Sequence, residues 1–239
     1  SFAMFPAGRA FEQVSNSVAY PQLNAKIGAN HDGITVGDDG ATNQCCEDFA
    51  LMRVIPGMTV ICPADGPETY AAVEAALKWD GPVYLRFGRY AVPEVTAGDA
   101  VAPFEIGRGR LLREGKDVSI VAVGYMVHLA LEAADLLAAE GISAEVIDMH
   151  TLKPIDAELL VGSAKKTGAV VTAEEHNIIG GLGSAVCEAL SESAPVPVER
   201  VGVKDTFGRS GKVPQLLELY GLTAAEIAAK AKAAIARKK

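Results

Sequence analysis

The sequence has 239 residues, enough for two compact domains, and its 49% hydrophobic and 22% charged residues are ordinary for a globular chain that needs no disulfides or metal to bury a core. Thirty acidic residues against twenty-two basic ones give a formal charge of -8, and the one basic run, at 237–239, reads as a helix end, so a nucleic-acid surface is not expected. No apolar stretch is long enough to cross a bilayer, which argues against a membrane partner; Cys45, Cys46, Cys62 and Cys187 fit neither a redox pair nor a zinc site, so free thiols in a reducing cytoplasm are expected.

In chain order, the opening SFAMF runs directly into a helical pattern over 8–20 and, with Ser1 in place of methionine, reads as the interior of a longer protein. A strand is expected over 24–29, then a Gly/Asp-rich loop over 30–44 and a helix over 47–54. Next come a buried strand over 58–62 and an amphipathic helix over 68–78, with Pro67 at its first turn. A strand over 83–87 closes the first half. Periodicity then fades, and 89–104 reads as a linker between a first domain, 1–88, and a second, 105–239. The second half opens on VSIVAV at 118–123, a continuous apolar run expected of a strand covered on both faces. Helices are expected over 127–139, 157–166, from 183 to 190 and over 224–236, alternating with strands over 144–147, 169–172 and 196–201. Five strand-helix steps predict a doubly wound sheet.

The loop NHDGITVGDDGATNQ concentrates His31, Asp32, Asp38, Asp39 and Asn43 between a strand and a helix. Such a loop can bind a polar substrate, or it can be a solvated turn whose aspartates cap the next helix; spacing alone favours neither. His31 is the side chain best able to move a proton near neutral pH, although a lone histidine is structural more often than catalytic. Arg86 and Arg89 lie at the end of the 83–87 strand, where an arginine can clamp a phosphate or carboxylate, or form a surface pair with Glu94. In TAEEHNIIGGLGSAV the glycine spacing fails the dinucleotide fingerprint, and Glu174 and Glu175 read as structural groups serving backbone donors or an interface. There is no Walker loop, GxSxG elbow or HExxH pair.

SFAMF with GRAFEQ, HDGITVGDDGATNQ, LMRVIPGMTVICPAD, GPVYLRFGR and VVTAEEHNIIGGLGSAV, in that order, resemble the transketolase family, and in particular the C-terminal subunit of a split transketolase. The likeness covers essentially the whole chain; deoxyxylulose-phosphate synthases and the beta subunits of 2-oxo acid dehydrogenases share much of it. It implies two three-layer α/β domains, a partial thiamine-diphosphate pyrimidine-binding domain followed by a doubly wound transketolase C-terminal domain. By the same resemblance Phe2 and Phe5 match aromatics that pack on the cofactor's aminopyrimidine, His31 a histidine near the donor sugar's phosphate or hydroxyls, Asp39 an aspartate bonding the hydroxyl beside the reacting carbonyl, and Arg89 an arginine for the sugar phosphate. Thiamine diphosphate is the implied cofactor. Its diphosphate and magnesium would be held by an N-terminal transketolase subunit as partner, in a dimer of heterodimers, with no metal ligand in this chain.

Two departures qualify this. Asn43 stands where the family commonly has histidine, and an amide keeps a hydrogen bond but cannot act as acid or base at neutral pH, so either the substrate differs or proton transfer falls to His31 or to the cofactor's own amino group. The family's activating glutamate lies upstream of SFAMF, so the chain as it stands is expected to be inactive alone. The expected activity is transfer of a two-carbon ketol unit between sugar phosphates. The alternatives are a 2-oxo acid dehydrogenase beta subunit, a deoxyxylulose-phosphate-synthase-like enzyme, and a non-catalytic assembly subunit.

Overall fold

A computed structural model describes residues 1–98 and 103–238; residues 99–102 of the expected linker lie outside the described residues. The first half contains π-helical turns Phe5–Arg9 and Val14–Ala19 around the short α1 (Phe11–Gln13), then β1 (Lys26–Asn30), a 3-10 segment Ile34–Asp39, α2 (Asp48–Arg53), β2 (Thr59–Ile61), α3 (Gly66–Lys78) and β3 (Val83–Phe87). The second half follows with β4 (Arg110–Arg113), β5 (Val118–Ala122), α4 (Met126–Ala139), β6 (Ala144–Asp148), β7 (Thr151–Lys153), α5 (Ala157–Thr167), β8 (Val170–Asn177), α6 (Leu182–Ser193), β9 (Val198–Val203), α7 (Val213–Tyr220) and α8 (Ala224–Ala236).

The expected α/β architecture is present as two sheets. The first has the order β1-β3-β2-β7, its first three strands parallel, and Ser1–Ala3 extend it beyond β1 through Ala3 N–H to Asn30 O at 2.7 Å. The second has the order β4-β6-β5-β8-β9, parallel except for β4. β5 lies at its centre with every residue buried, which is why VSIVA carries no polar alternation. Val118, Ile120 and Ala122 face α4 and α8, whose alanines allow close approach, while Val121 faces a second cluster shared with Leu160 of α5 and Leu182 and Val186 of α6. That second cluster also takes in Phe49, Met52 and Tyr84 from the first half, so one apolar core runs through both sheets.

The junction is covalent as well as apolar. After β6 the chain crosses to the first sheet, where β7 pairs antiparallel with β2, and Lys153 Nζ donates to Arg53 O at 2.8 Å and Ile55 O at 2.6 Å. No sequence pattern announces this three-residue strand. The other differences are local. The expected 8–20 helix begins earlier and is mostly π-helical, the 169–172 strand continues to Asn177, and β4 and α7 were not expected at all. Each is too short, or too dependent on distant partners, for periodicity to register.

Helix ends follow side-chain chemistry. Asp156 and Thr223 cap α5 and α8, and Gly168 and Gly221 end α5 and α7 in the left-handed region. Asp65 does more than cap α3. Besides accepting from Glu68 N–H at 3.0 Å, it takes the backbone N–H groups of Val95 at 2.6 Å and Thr96 at 2.7 Å. Burial alone would raise the Asp65 carboxyl's pKa, but bonds from Thr96, Glu68 and Val95 lower it below the usual range. Asp65→Ala should therefore cost about 1–3 kcal/mol in urea unfolding and make limited proteolysis cut first near Val95. Cleavage elsewhere with unchanged stability would remove this role.

Candidate functional site

The 30–44 loop leaves the C-terminal end of β1 and is shaped by its glycines. Gly33 and Gly37 have φ of 64° and 76°, the left-handed region that side chains rarely adopt, and a Cβ at Gly33 would stand 2.5 Å from the Glu175 side chain. His31 takes φ of 55° with an L side chain, a conformation held only because its surroundings fix it.

Beneath the loop lies a buried charge centre. The side chain of Arg86, in β3, is only 2% exposed; it forms an ion pair with Asp32 and a second with Asp48 through Nε at 2.8 Å. Its Nη2 donates to Glu175 O at 3.0 Å and Cys45 O at 3.3 Å, and its guanidinium lies 4.2 Å from the centre of the Phe49 ring. Tyr84 donates to Asp48 at 2.9 Å. Arg86 thus takes neither of the roles the sequence offered: its buried donors are directed at Asp32, Asp48, Cys45 O and Glu175 O inside the protein. Burial alone would lower its pKa; the carboxylates of Asp32 and Asp48 reverse that and raise it. Burial also raises the pKa of Asp32, with Arg86 opposing.

Glu174 and Glu175 of β8 are both structural. Glu174 accepts from Leu182 N–H at 2.6 Å and Gly183 N–H at 2.9 Å at the start of α6, while burial pushes its pKa up to about 7. Glu175 crosses to the loop, accepting from the Thr35 backbone N–H and bonding Thr35 Oγ1 at 3.2 Å. Burial, then the nearby Asp32, pushes its pKa up to about 8. His176 stacks on Phe49 with ring centres 5.0 Å apart and is kept neutral by burial, at a pKa of about 4.

The six residues singled out by resemblance fall into two groups at the two ends of this loop. Phe2 stacks on His31, with centroids 4.2 Å apart and planes 8° from parallel, so one face of the Phe2 ring is occupied. Phe5 lies 6.2 Å from Phe2 and is 42% exposed, leaving an open aromatic surface. His31 Nδ1 is 3.1 Å from Asn30 Oδ1, so with that oxygen accepting, the ring proton sits on Nδ1 and Nε2 is the acceptor nitrogen. At the other end, Arg89 Nη1 pairs with Asp39 at 2.7 Å and donates to Val36 O at 2.8 Å, while Asn43 Nδ2 donates to Asp39 O at 3.2 Å. The Arg89 and Asp39 side chains are about two-fifths exposed, so this pair can meet a ligand.

The exposed Phe5 ring offers a flat aminopyrimidine a surface to stack on. Among the described residues no three His, Cys, Asp or Glu side chains are grouped to hold a metal. Sequence reasoning missed the segment 208–213, which borders the loop from the second half. Gln44 Nε2 donates to Ile34 O at 3.1 Å and Arg209 O at 2.9 Å, Ser210 Oγ donates to Asp38 O at 2.7 Å, and Lys212 pairs with Asp38 at 2.6 Å. Apart from the Gln44–Ile34 bond, these contacts join residues more than 160 positions apart, and the local signal for the segment is the glycine pair in GRSG.

Two family models match this chain: the transketolase pyrimidine-binding domain over 1–94 and the transketolase C-terminal domain over 107–227. A 6-deoxy-6-sulfo-D-fructose transketolase subunit of Clostridium sp. (strain MSTE9) is 50% identical over 95% of this chain and 70% of its own. A 1-deoxy-D-xylulose-5-phosphate synthase of Heliobacterium modesticaldum is 42% identical over 92% of this chain but only 34% of its own. Among solved structures, a split-gene transketolase in an inactive beta4 tetramer superposes with a TM-score of 0.93 at 57% identity, over 100% of this chain and 76% of that one.

The Glu175 carboxyl makes the loop's anchorage pH-dependent. Its folded pKa, about 8, is raised above the ordinary 4.5, so between those values the folded chain holds a proton the unfolded chain has released. Stability therefore falls as pH rises through that window. Urea midpoints measured from pH 6 to 9 should fall more steeply for the native chain than for Glu175→Gln, which stays neutral. Parallel curves would mean that Glu175 is ionised throughout.

Proposed function

The chain belongs to the transketolase family, matching its pyrimidine-binding and C-terminal domains in order, and on that premise we propose that it is one subunit of a split transketolase that moves a two-carbon ketol unit from a ketose phosphate to an aldose phosphate. We divide it as the sequence does, into a pyrimidine-binding part at 1–88, a linker at 89–104 and a C-terminal domain at 105–239. The observation that carries the reading is the Asp39–Arg89 pair beside Asn43, exposed at the end of a loop that is otherwise locked from below.

In this reading Arg89 takes the sugar phosphate through its planar fork, and Asp39, released from Arg89, accepts from the substrate hydroxyl next to the reacting carbonyl. Asn43 donates an amide hydrogen bond to the carbonyl oxygen; lacking an ionisable group, it leaves proton movement to His31 at the far end of the loop. Phe5, with Phe2 and His31 stacked behind it, packs on the aminopyrimidine of thiamine diphosphate. That cofactor, when bound, supplies the electron sink for carbon-carbon cleavage. Its diphosphate and magnesium belong, by family likeness, to an N-terminal partner subunit, and the site forms between chains in a dimer of heterodimers. The inactive beta4 tetramer of the 57% identical relative supports a chain that needs its partner for activity. The same relative equally suits a subunit kept for assembly, and the likeness to a 1-deoxy-D-xylulose-5-phosphate synthase supports a deoxyxylulose-phosphate-synthase-like enzyme as the second reading. No helix among the described residues is long and apolar enough to cross a membrane, and four free cysteines fit a cytoplasmic protein.

The test is an assay of the purified chain with its partner on phosphorylated ketoses. Arg89→Ala should raise KM for the sugar phosphate about ten- to a hundredfold, the worth of a lost charge-assisted hydrogen bond, with a smaller effect on kcat; an unchanged KM would count against transketolase and for an oxo-acid substrate. Asn43→His should shift kcat or the preferred sugar. Kinetics identical to the native chain would take Asn43 out of the site.

A further inference from the structure

A second cation reaches the same ligand space from the other half of the chain. A cleft of about 310 Å3 adjoins the Asp39–Arg89 pair, walled by Thr35 and Asp38 of the loop, Arg89 and Tyr90 after β3, and Lys212 and Pro214 at the start of α7. Lys212 pairs with Asp38 at 2.6 Å, as Arg89 pairs with the next residue, Asp39, at 2.7 Å. The Lys212 and Asp38 side chains are 75% and 61% exposed, and an ion pair so open to water contributes little to folding. Nor does the loop need it, because Ser210 already holds Asp38 O and Gln44 already holds Arg209 O.

We propose that Lys212 is a further substrate-binding residue, contributed by the C-terminal domain: Lys212 and Arg89 take the phosphate of a phosphorylated polyol between them, while Asp38 and Asp39 turn to its hydroxyl groups. This rests on the sugar-phosphate reading of Arg89 and adds to it a second cation and a second carboxylate.

The charge pattern selects this ligand class. Without ligand, two cations and two carboxylates cancel, so the cleft offers no net attraction to a bare anion. An anion that claimed both cations would leave Asp38 and Asp39 unpaired beside it, a like-charge arrangement that disfavours binding. A ligand carrying both phosphate and hydroxyls exchanges all four partners. Its phosphate accepts from the guanidinium fork and the ammonium, and its hydroxyls donate to the carboxylates. A short 2-oxo acid brings an anion and no donors, and leaves the carboxylates unserved. The flexible lysine stem suits a group that must leave Asp38 and follow the phosphate.

Calorimetric titration of the chain assembled with its partner subunit, with D-ribose 5-phosphate and with D-ribose, tests this, using the native chain, Lys212→Met, Lys212→Arg, Asp38→Asn and Arg89→Ala. Lys212→Met should weaken ribose 5-phosphate binding about tenfold, the loss of one charge-assisted contact, and Lys212→Arg should restore most of it. Asp38→Asn keeps an oxygen that can accept from a hydroxyl while it frees the lysine, so it should leave the affinity within about twofold. If Lys212 served only to hold the loop, Lys212→Met and Asp38→Asn would act alike, since each breaks the same pair; that result overturns the proposal. So does native affinity in Lys212→Met while Arg89→Ala loses binding, which leaves the sugar-phosphate reading intact. A native assembly that binds ribose 5-phosphate no better than ribose overturns both.

Discussion

The structure depends on one buried cation. A guanidinium removed from water is tolerated only when its donors and charge are met nearby. Arg86 meets this condition by drawing on four separate pieces of chain: Asp32 at the start of the loop, Cys45 O near its end, Asp48 in α2, and Glu175 O in β8 of the other sheet. None of these can move away without leaving a charge or a donor unserved in the interior. The two sheets and both ends of the 30–44 loop are therefore fixed to one point, and the apolar cluster that runs between the halves closes around it.

This anchorage explains how the loop can be rigid and polar together. Glu175 holds Thr35 from below, Gln44 ties Ile34 to the 208–213 segment, and the glycines at 33 and 37 let the backbone pass where a side chain would collide. What remains outside is the 38–43 stretch, whose carboxylates and amide point at groups they can exchange. His31, stacked on Phe2, stands at the loop's other end, so the aromatic surface and the charged pair are spaced by a segment tied down along its length. Holding functional groups on supports whose own partners are buried is what keeps a site in register.

Much of the architecture was legible because local chemistry and tertiary need agree. VSIVA reads as a doubly covered strand and is one; α8 begins at a threonine cap and ends where its alanines stop; α3 starts after Asp65 with Pro67 in its first turn. The two arginines show where local reading fails. Arg86 and Arg89 are three residues apart, and motif reasoning gave them the same candidate role. The discriminating clue was present: Arg86 sits inside a strand, VYLRF, after three buried positions and before an aromatic one, so its charge must be met in the core, whereas Arg89 lies beyond the strand's end. What no local pattern could provide was the identity of the partners. Asp32, Asp48 and Glu175 are up to 143 positions apart, and β7 exists only because β2 offers it an edge.

Buried and exposed charges divide the work between them. A desolvated pair such as Arg86–Asp48 cannot open without a large penalty, so it fixes geometry and takes no part in exchange. The exposed pairs, Arg89–Asp39 and Lys212–Asp38, are worth roughly 0–1 kcal/mol each, so a ligand that offers equivalent partners can open them at almost no cost. A loop built this way needs no conformational change to admit a polar substrate. Only four side-chain ends have to change partners, and the backbone that carries them stays tied to Arg86. The resting ion pairs keep the cations from lying unpaired in the empty cleft and hold the carboxylates where hydroxyl groups would arrive. The consecutive aspartates therefore matter as much as the two cations they face, because they decide which anion can replace them.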